Sequence, residues 1–150
     1  MRFHVVSREE ACRWNPVGKP HVIISVTSPP DPEAEVKQNE HTRGVLRLGF
    51  HDLDQEPGPI FRKVYGEPVM FTEEMARAID SFVAQHAADI ETVIVHCDAG
   101  HSRSPAIAAA LAHRYNEPSV NDWFFKHRTP NRFVYRTLLE VLMDEGTRKS

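Results

Sequence analysis

An α/β fold, a single domain with a central, mainly parallel sheet and helices on both faces, is predicted by two features of this chain. The first is a pair of apolar runs, His21-Val22-Ile23-Ile24-Ser25-Val26 and Val93-Ile94-Val95. Neither alternates with polar residues, which suits strands covered on both faces. The second is that strand-like segments alternate with capped helical ones, as crossover connections between parallel strands require.

Composition bounds the rest. The chain has 150 residues, enough for one domain with a respectable core. Hydrophobic residues make up 41% and charged residues 26%, as in an ordinary water-soluble protein, and the net charge of −3 disfavours nucleic acid as a partner. No apolar run reaches membrane-spanning length, and Met1-Arg2-Phe3-His4 does not read as the start of a secretory signal, so no membrane partner is expected. Two cysteines, Cys12 and Cys97, make a disulfide framework improbable, and a reactive thiol needs a reducing compartment, so the expected location is cytoplasmic. The nine histidines are scattered without the paired spacing of a zinc site. No metal and no cofactor are expected.

Taken in order, Phe3-His4-Val5-Val6 reads as a first strand, and Ser7-Arg8-Glu9-Glu10 as a capping box opening a short helix through Cys12 and Trp14. Cys12 is expected to be a small buried hydrophobe. The second strand ends at the proline cluster Ser28-Pro29-Pro30-Asp31-Pro32. Residues 31–43 read as a surface connection with one helical turn around Glu33 to Lys37. Leu46, Leu48 and Phe50 alternate onto one face of a third strand. A loop through His51, Asp52, Asp54 and Pro57-Gly58 follows, with His51 expected to be exposed. The stretch from Ile60 to Val69 reads as irregular. Thr72 caps a helix whose stripe is Met75, Ile79, Phe82 and Val83. After the central strand at 93–95 comes a helix over Ala106 to Tyr115, which Pro118 closes. Ser119-Val120-Asn121-Asp122 opens another, containing Trp123, Phe124 and Phe125. Thr129-Pro130-Asn131 starts a final helix, and Thr147 to Ser150 form a frayed tail.

The chemistry concentrates in His96-Cys97-Asp98-Ala99-Gly100-His101-Ser102-Arg103-Ser104-Pro105, between the central strand and the alanine-rich helix. Gly100 permits backbone angles that a side chain would penalise, and Pro105 suits the first turn of a helix. A loop of inward amides at a helix N-terminus binds a tetrahedral oxyanion. The same field favours the thiolate form of Cys97, the nucleophilic one. Arg103 can grip two phosphate oxygens with its planar fork, and Ser104 places a hydroxyl near the sulfur.

This arrangement resembles the phosphate-binding loop of the cysteine-dependent protein tyrosine phosphatases, and Gly100 and Ser102 match the compact dual-specificity branch. The resemblance is strong over residues 93–115 and present over 45–54 and 128–139. It implies an enzyme that hydrolyses phosphomonoesters through a cysteinyl-phosphate, with a phosphorylated protein or peptide as partner and phosphotyrosine as the first expectation. Cys97 is then the nucleophile. Asp98, Ala99, Gly100, His101, Ser102 and Arg103 form the phosphate cradle, Ser104 stabilises the departing thiolate, and His96 organises the loop from behind. The leaving oxygen needs a proton, and the family carries the donor on a loop after an alternating apolar strand. Asp52 in Leu48-Gly49-Phe50-His51-Asp52 matches that position, with Asp54 as the alternative acid.

Chain order separates this pattern from low-molecular-weight tyrosine phosphatases, whose cysteine precedes the acid. Asp98 and His101 inside the loop disfavour highly charged inositol lipids. Lys126, Arg128 and Arg132 read as a solvated basic face or as a rim that attracts phosphorylated substrate. Two alternatives remain: a non-catalytic phosphate-binding module, and a phosphatase acting on RNA 5′ ends or another non-protein phosphate.

Overall fold

A computed structural model describes residues 1–116 and 118–144, and the side chains of all of these except 118–120. Four strands, β1 (Arg2–Ser7), β2 (His21–Thr27), β3 (Thr42–Gly49) and β4 (Thr92–Cys97), form one parallel sheet in the order β1-β4-β2-β3. The two non-alternating runs, β2 and β4, are the central pair and are buried throughout. β1 and β3 sit at the edges, with more exposed residues along them.

Helices α1 (Arg8–Arg13), α2 (Pro59–Tyr65), α3 (Glu73–His86), α4 (Arg103–Tyr115), α5 (Pro118–His127) and α6 (Arg132–Leu142) complete the domain. On the front face, Val22, Ile24, Val26, Val93 and Val95 pack into the main core with Ile79, Val83, Ile107, Leu111, Leu138 and Leu142. Each such side chain, fully withdrawn from water, stabilises the fold by about 1.5–3 kcal/mol. The back face is more thinly covered. There Ile23 and Ile94 pack with Ala34 and Val36, flanked by Ala11, Cys12 and Val17. Helices therefore lie on both faces, but among the described residues the back carries only short α1 and an extended strap. No helix among the described residues is long and apolar enough to cross a membrane.

Local chemistry explains most boundaries. The Ser7 capping box is complete, with Ser7 Oγ accepting from the Glu10 amide and the Glu10 carboxylate accepting from the Ser7 amide. Thr72 caps α3, and Asn131 caps α6 by accepting from the Val134 amide.

Four expectations need correction. Cys12 is half-buried rather than buried, at the margin of the cluster around Ile23 and Ile94. Glu33 to Lys37 form no helical turn. The strap runs extended, because Ala34 and Val36 bury on the sheet while the Lys37 amide donates to the Ala11 carbonyl. The stretch after Gly58 is not irregular: Pro59 opens α2 and Gly66, at φ 83°, closes it. None of α2's residues is buried, so no apolar stripe announced it, but its proline start and glycine stop were legible. His51 is buried rather than exposed. Its ring joins the acid loop to two other segments: Nδ1 accepts from the Val69 amide at 2.9 Å, so the proton sits on Nε2 and is donated to the Pro29 carbonyl at 2.7 Å. The expected tail at Thr147 to Ser150 lies outside the described residues.

Candidate active site

Parallel strands put all their carboxyl ends on one side of the sheet, where ligands of such folds bind. The loops after β2, β3 and β4 meet there. Cys97 is the last residue of β4 and is buried. Its Sγ accepts from the Gly100 amide at 3.3 Å and lies 3.1 Å from Ser104 Oγ.

The direction of the loop amides follows from where its carbonyls go. The Asp98 carbonyl accepts from the Arg8 amide at 3.1 Å, that of His101 from the Thr129 amide at 3.0 Å, and that of Ser102 from the Asn131 amide at 3.0 Å. All three donors lie outside the loop. Because the C=O and N–H of a trans peptide point in opposite directions, the amides of Ala99, Ser102 and Arg103 turn inward. Gly100 makes the fold of the loop possible. It has φ 79°, and a Cβ there would come within 3.0 Å of the Val6 main chain. Ser102 stands at the N-cap of α4 without capping it, so the first amides of that helix also face the loop interior.

Behind the loop, His96 is fully buried and bonded at both ring nitrogens. Nδ1 lies 3.2 Å from the Cys97 carbonyl, which can only accept, so Nδ1 carries the proton. Nε2 lies 2.6 Å from Ser25 Oγ, whose hydroxyl donates to it. Ser25 and His96 are register partners on the central strands. Burial holds the His96 pKa below its ordinary value, against the opposing pull of the Cys97 carbonyl, so the ring is neutral.

Arg103, the first residue of α4, is 5% exposed. Its Nη1 donates to the Phe50 carbonyl at 2.7 Å and to Ser28 Oγ at 2.8 Å, and its Nη2 to Asp98 Oδ2 at 2.9 Å. Asp98 therefore ties the loop in two ways: its carbonyl accepts from the Arg8 amide, and its side chain holds the arginine. Partial burial pushes the Asp98 carboxyl up. Donation from Ser28 and Arg103, with the charges of Arg103 and Arg8, outweighs that and leaves its pKa below the ordinary value.

The two acid candidates separate here. Asp52 Oδ1 accepts from Ser102 Oγ and from Asn131 Nδ2, both at 2.8 Å, so it is fixed against the loop. Asn131 Nδ2 also donates to the Leu53 carbonyl at 3.1 Å. Asp52 borders two openings: a cleft of about 630 Å³ shared with Arg103, Asp98, Phe61 and Tyr65, and one of about 590 Å³ shared with His101 and Arg132. Both carboxyls are exposed, but Asp54 lines only the second opening. An apolar cavity of about 250 Å³ lies apart from this chemistry, between α1 and the back of the sheet.

Lys126 is exposed, Arg128 stacks over the Trp123 ring at 5.4 Å, and Arg132 over the Phe125 ring at 5.4 Å. Among the described residues no three His, Cys, Asp or Glu side chains converge as a metal site would require. Sequence reading passed over Ser25, Ser28 and the clamp made by Asn131. Ser28 follows directly on β2, at the carboxyl end where such folds collect functional groups, and that position was the available signal.

No protein-family model matches the chain, and no curated protein matches it in sequence. Solved structures do match. Human DUSP28 is 14% identical over 99% of this chain and 95% of its own, with a TM-score of 0.57. A human tyrosine phosphatase-like serine/threonine/tyrosine-interacting protein is 17% identical over 99% and 93%, with a TM-score of 0.53. A mouse putative dual specificity phosphatase is 14% identical over 87% and 74%, with a TM-score of 0.54. The parallel sheet, the loop between β4 and α4, and these likenesses together give the chain the fold of the cysteine-dependent protein tyrosine phosphatases, in the compact form of their dual-specificity branch.

Proposed function

We propose that the protein is a cysteine-dependent phosphomonoesterase that acts on phosphotyrosine, and also phosphoserine or phosphothreonine, in proteins. The observation that carries this reading is the convergence of a buried thiol, inward amides, an arginine and a pinned carboxyl from separate segments. In the first step Cys97 Sγ attacks phosphorus in line. The S–P bond forms as the ester P–O bond breaks, and Asp52 delivers a proton to the leaving oxygen. Arg103 and the loop amides hold the equatorial oxygens throughout. In the second step Asp52 takes a proton from water as it attacks the phosphocysteine, and Ser104 donates to the departing sulfur from 3.1 Å. His96 acts from behind by holding the Cys97 carbonyl.

The test is hydrolysis of an aryl phosphate with chelator present. Activity is expected to be blocked by vanadate and abolished in Cys97→Ser, with acid-trapped radiolabelled phosphocysteine appearing in the wild type. A phosphopeptide panel run beside phosphorylated RNA 5′ ends reads the substrate class. An inactive wild type that binds phosphopeptide as tightly as Cys97→Ser would replace the enzyme with a binding module.

A further inference from the structure

A carboxylate inside a loop shaped for phosphate is a paradox, because its charge opposes the anion that the loop amides attract. Asp98 does not turn away to solvent to relieve this. Its Oδ2 accepts from Arg103 Nη2 at 2.9 Å and from Ser28 Oγ at 2.7 Å, while Ser28 Oγ accepts from Arg103 Nη1 at 2.8 Å. The three side chains form a closed ring drawn from the ends of two neighbouring strands. The other Nη1 hydrogen goes to the Phe50 carbonyl at 2.7 Å. Both Nη1 hydrogens and one on Nη2 are thereby committed. The pair remaining on the guanidinium is Nε–H and the second Nη2 hydrogen, which share its side edge and match two phosphate oxygens.

We infer that Ser28 and Asp98 are positioning residues that occupy the end of the Arg103 guanidinium and so present its side edge to the transferring phosphoryl group. This rests on the reading of Arg103 as the cation that grips phosphate. The bracket trades affinity for geometry. The Asp98 charge weakens ground-state binding of a phosphate, and in return the arginine is held in the orientation the transition state needs. A rotatable guanidinium would have to be ordered at each turnover. The same charge discriminates against polyanionic esters, because each added negative group meets it.

The experiment compares Asp98→Asn, Ser28→Ala and Ser28→Thr with the wild type, reading kcat, KM and, by calorimetry, the affinity for orthophosphate. Asp98→Asn is expected to lower kcat about tenfold to hundredfold through misorientation. It should at the same time bind orthophosphate severalfold more tightly, since a negative charge has gone. Ser28→Ala should lower kcat in the same direction without tightening phosphate, and Ser28→Thr should restore it by returning the hydroxyl. A merely structural role would weaken binding and turnover together, along with thermal stability, and that outcome overturns the inference. So does an Asp98→Asn enzyme with wild-type kcat, or a Ser28→Ala enzyme indistinguishable from the wild type. Orthophosphate affinity needs no turnover. A wild type that binds phosphate without hydrolysing esters defeats the enzyme reading alone, and tighter binding by Asp98→Asn still supports the bracket's charge term. A wild type that does not bind phosphate overturns both.

Discussion

Ser102 Oγ donates to Asp52 Oδ1 at 2.8 Å across 50 residues of sequence, tying the loop that would hold phosphate to the carboxyl that would serve it. The hydroxyl at the N-cap of α4 would ordinarily cap its own helix. Directing it to Asp52 leaves the first helix amides uncapped and helps, with Asn131, to fix that carboxyl.

That contact separates the two candidate acids. Asp52→Asn is expected to lower kcat on an alkyl phosphate by about 10²–10⁴-fold, the range of one general acid, with a much smaller effect on an aryl phosphate whose leaving group needs no proton. Asp54→Asn should stay close to the wild type on both. Steady-state kinetics across a leaving-group series reads this directly, and a collapse confined to Asp54→Asn would transfer the role.

Asn131 joins three segments: it caps α6, holds Asp52 and Leu53 by its side chain, and donates its amide to the Ser102 carbonyl. Asn131→Ala should cost about 1–2 kcal/mol of stability from the lost cap, as well as activity. Asn131→Asp keeps a capping oxygen but replaces the donor to Asp52 with a repelling carboxylate. It should therefore unfold near the wild-type urea midpoint yet turn over an alkyl phosphate poorly. If the two variants lose activity only in proportion to stability, the clamp is a cap and nothing more.

Gly100 carries a constraint that no other residue type meets. Its φ of 79° costs an L side chain about 1–2 kcal/mol, and a Cβ would press on the Val6 carbonyl carbon at 3.0 Å, where main chain cannot step aside. Gly100→Ala is expected to lower the melting temperature and to abolish vanadate binding, read by calorimetry, together with turnover. Retained vanadate affinity in a folded Gly100→Ala protein would mean that the loop reaches its shape without this residue.

Stability should fall as the solution is acidified through the histidine range. Burial lowers the His96 pKa, and burial with the Arg2 charge lowers that of His4, so in both cases the unfolded chain takes up a proton at 6.5 that the folded protein refuses. Their contribution is complete above 6.5 and is lost as pH drops from 6.5 towards the folded values. Asp98, with its lowered pKa, adds a loss of the same sign below its ordinary 3.8. Urea unfolding at about pH 7.5 and about pH 5.5 should show a smaller difference in His96→Asn than in the wild type. An unchanged difference would remove His96 from this account.

Legibility in the sequence followed the range of each interaction. β2, β4, the Ser7 capping box, the helix after Thr72 and the order of residues from His96 to Ser104 could be read directly, because continuous burial, caps and glycine needs leave their mark within a few positions. The strap through Ala34 and Val36 departs from its local pattern because its two buried residues face a sheet that short-range periodicity does not reveal. The burial of His51 has no local signature because the Pro29 carbonyl and Val69 amide that satisfy its ring are distant in sequence.

The fold class, the strand-loop-helix unit around Cys97 and the set of groups available to it are properties of short stretches of the chain. Which of those groups become neighbours is set by the folded arrangement: Asp52 rather than Asp54 at Ser102, Ser25 behind His96, Ser28 and Asp98 on Arg103. The reason is that a parallel sheet gathers the ends of its strands at one edge. Contacts made there depend on how the strands are ordered and staggered, and neither is written in any short stretch of residues.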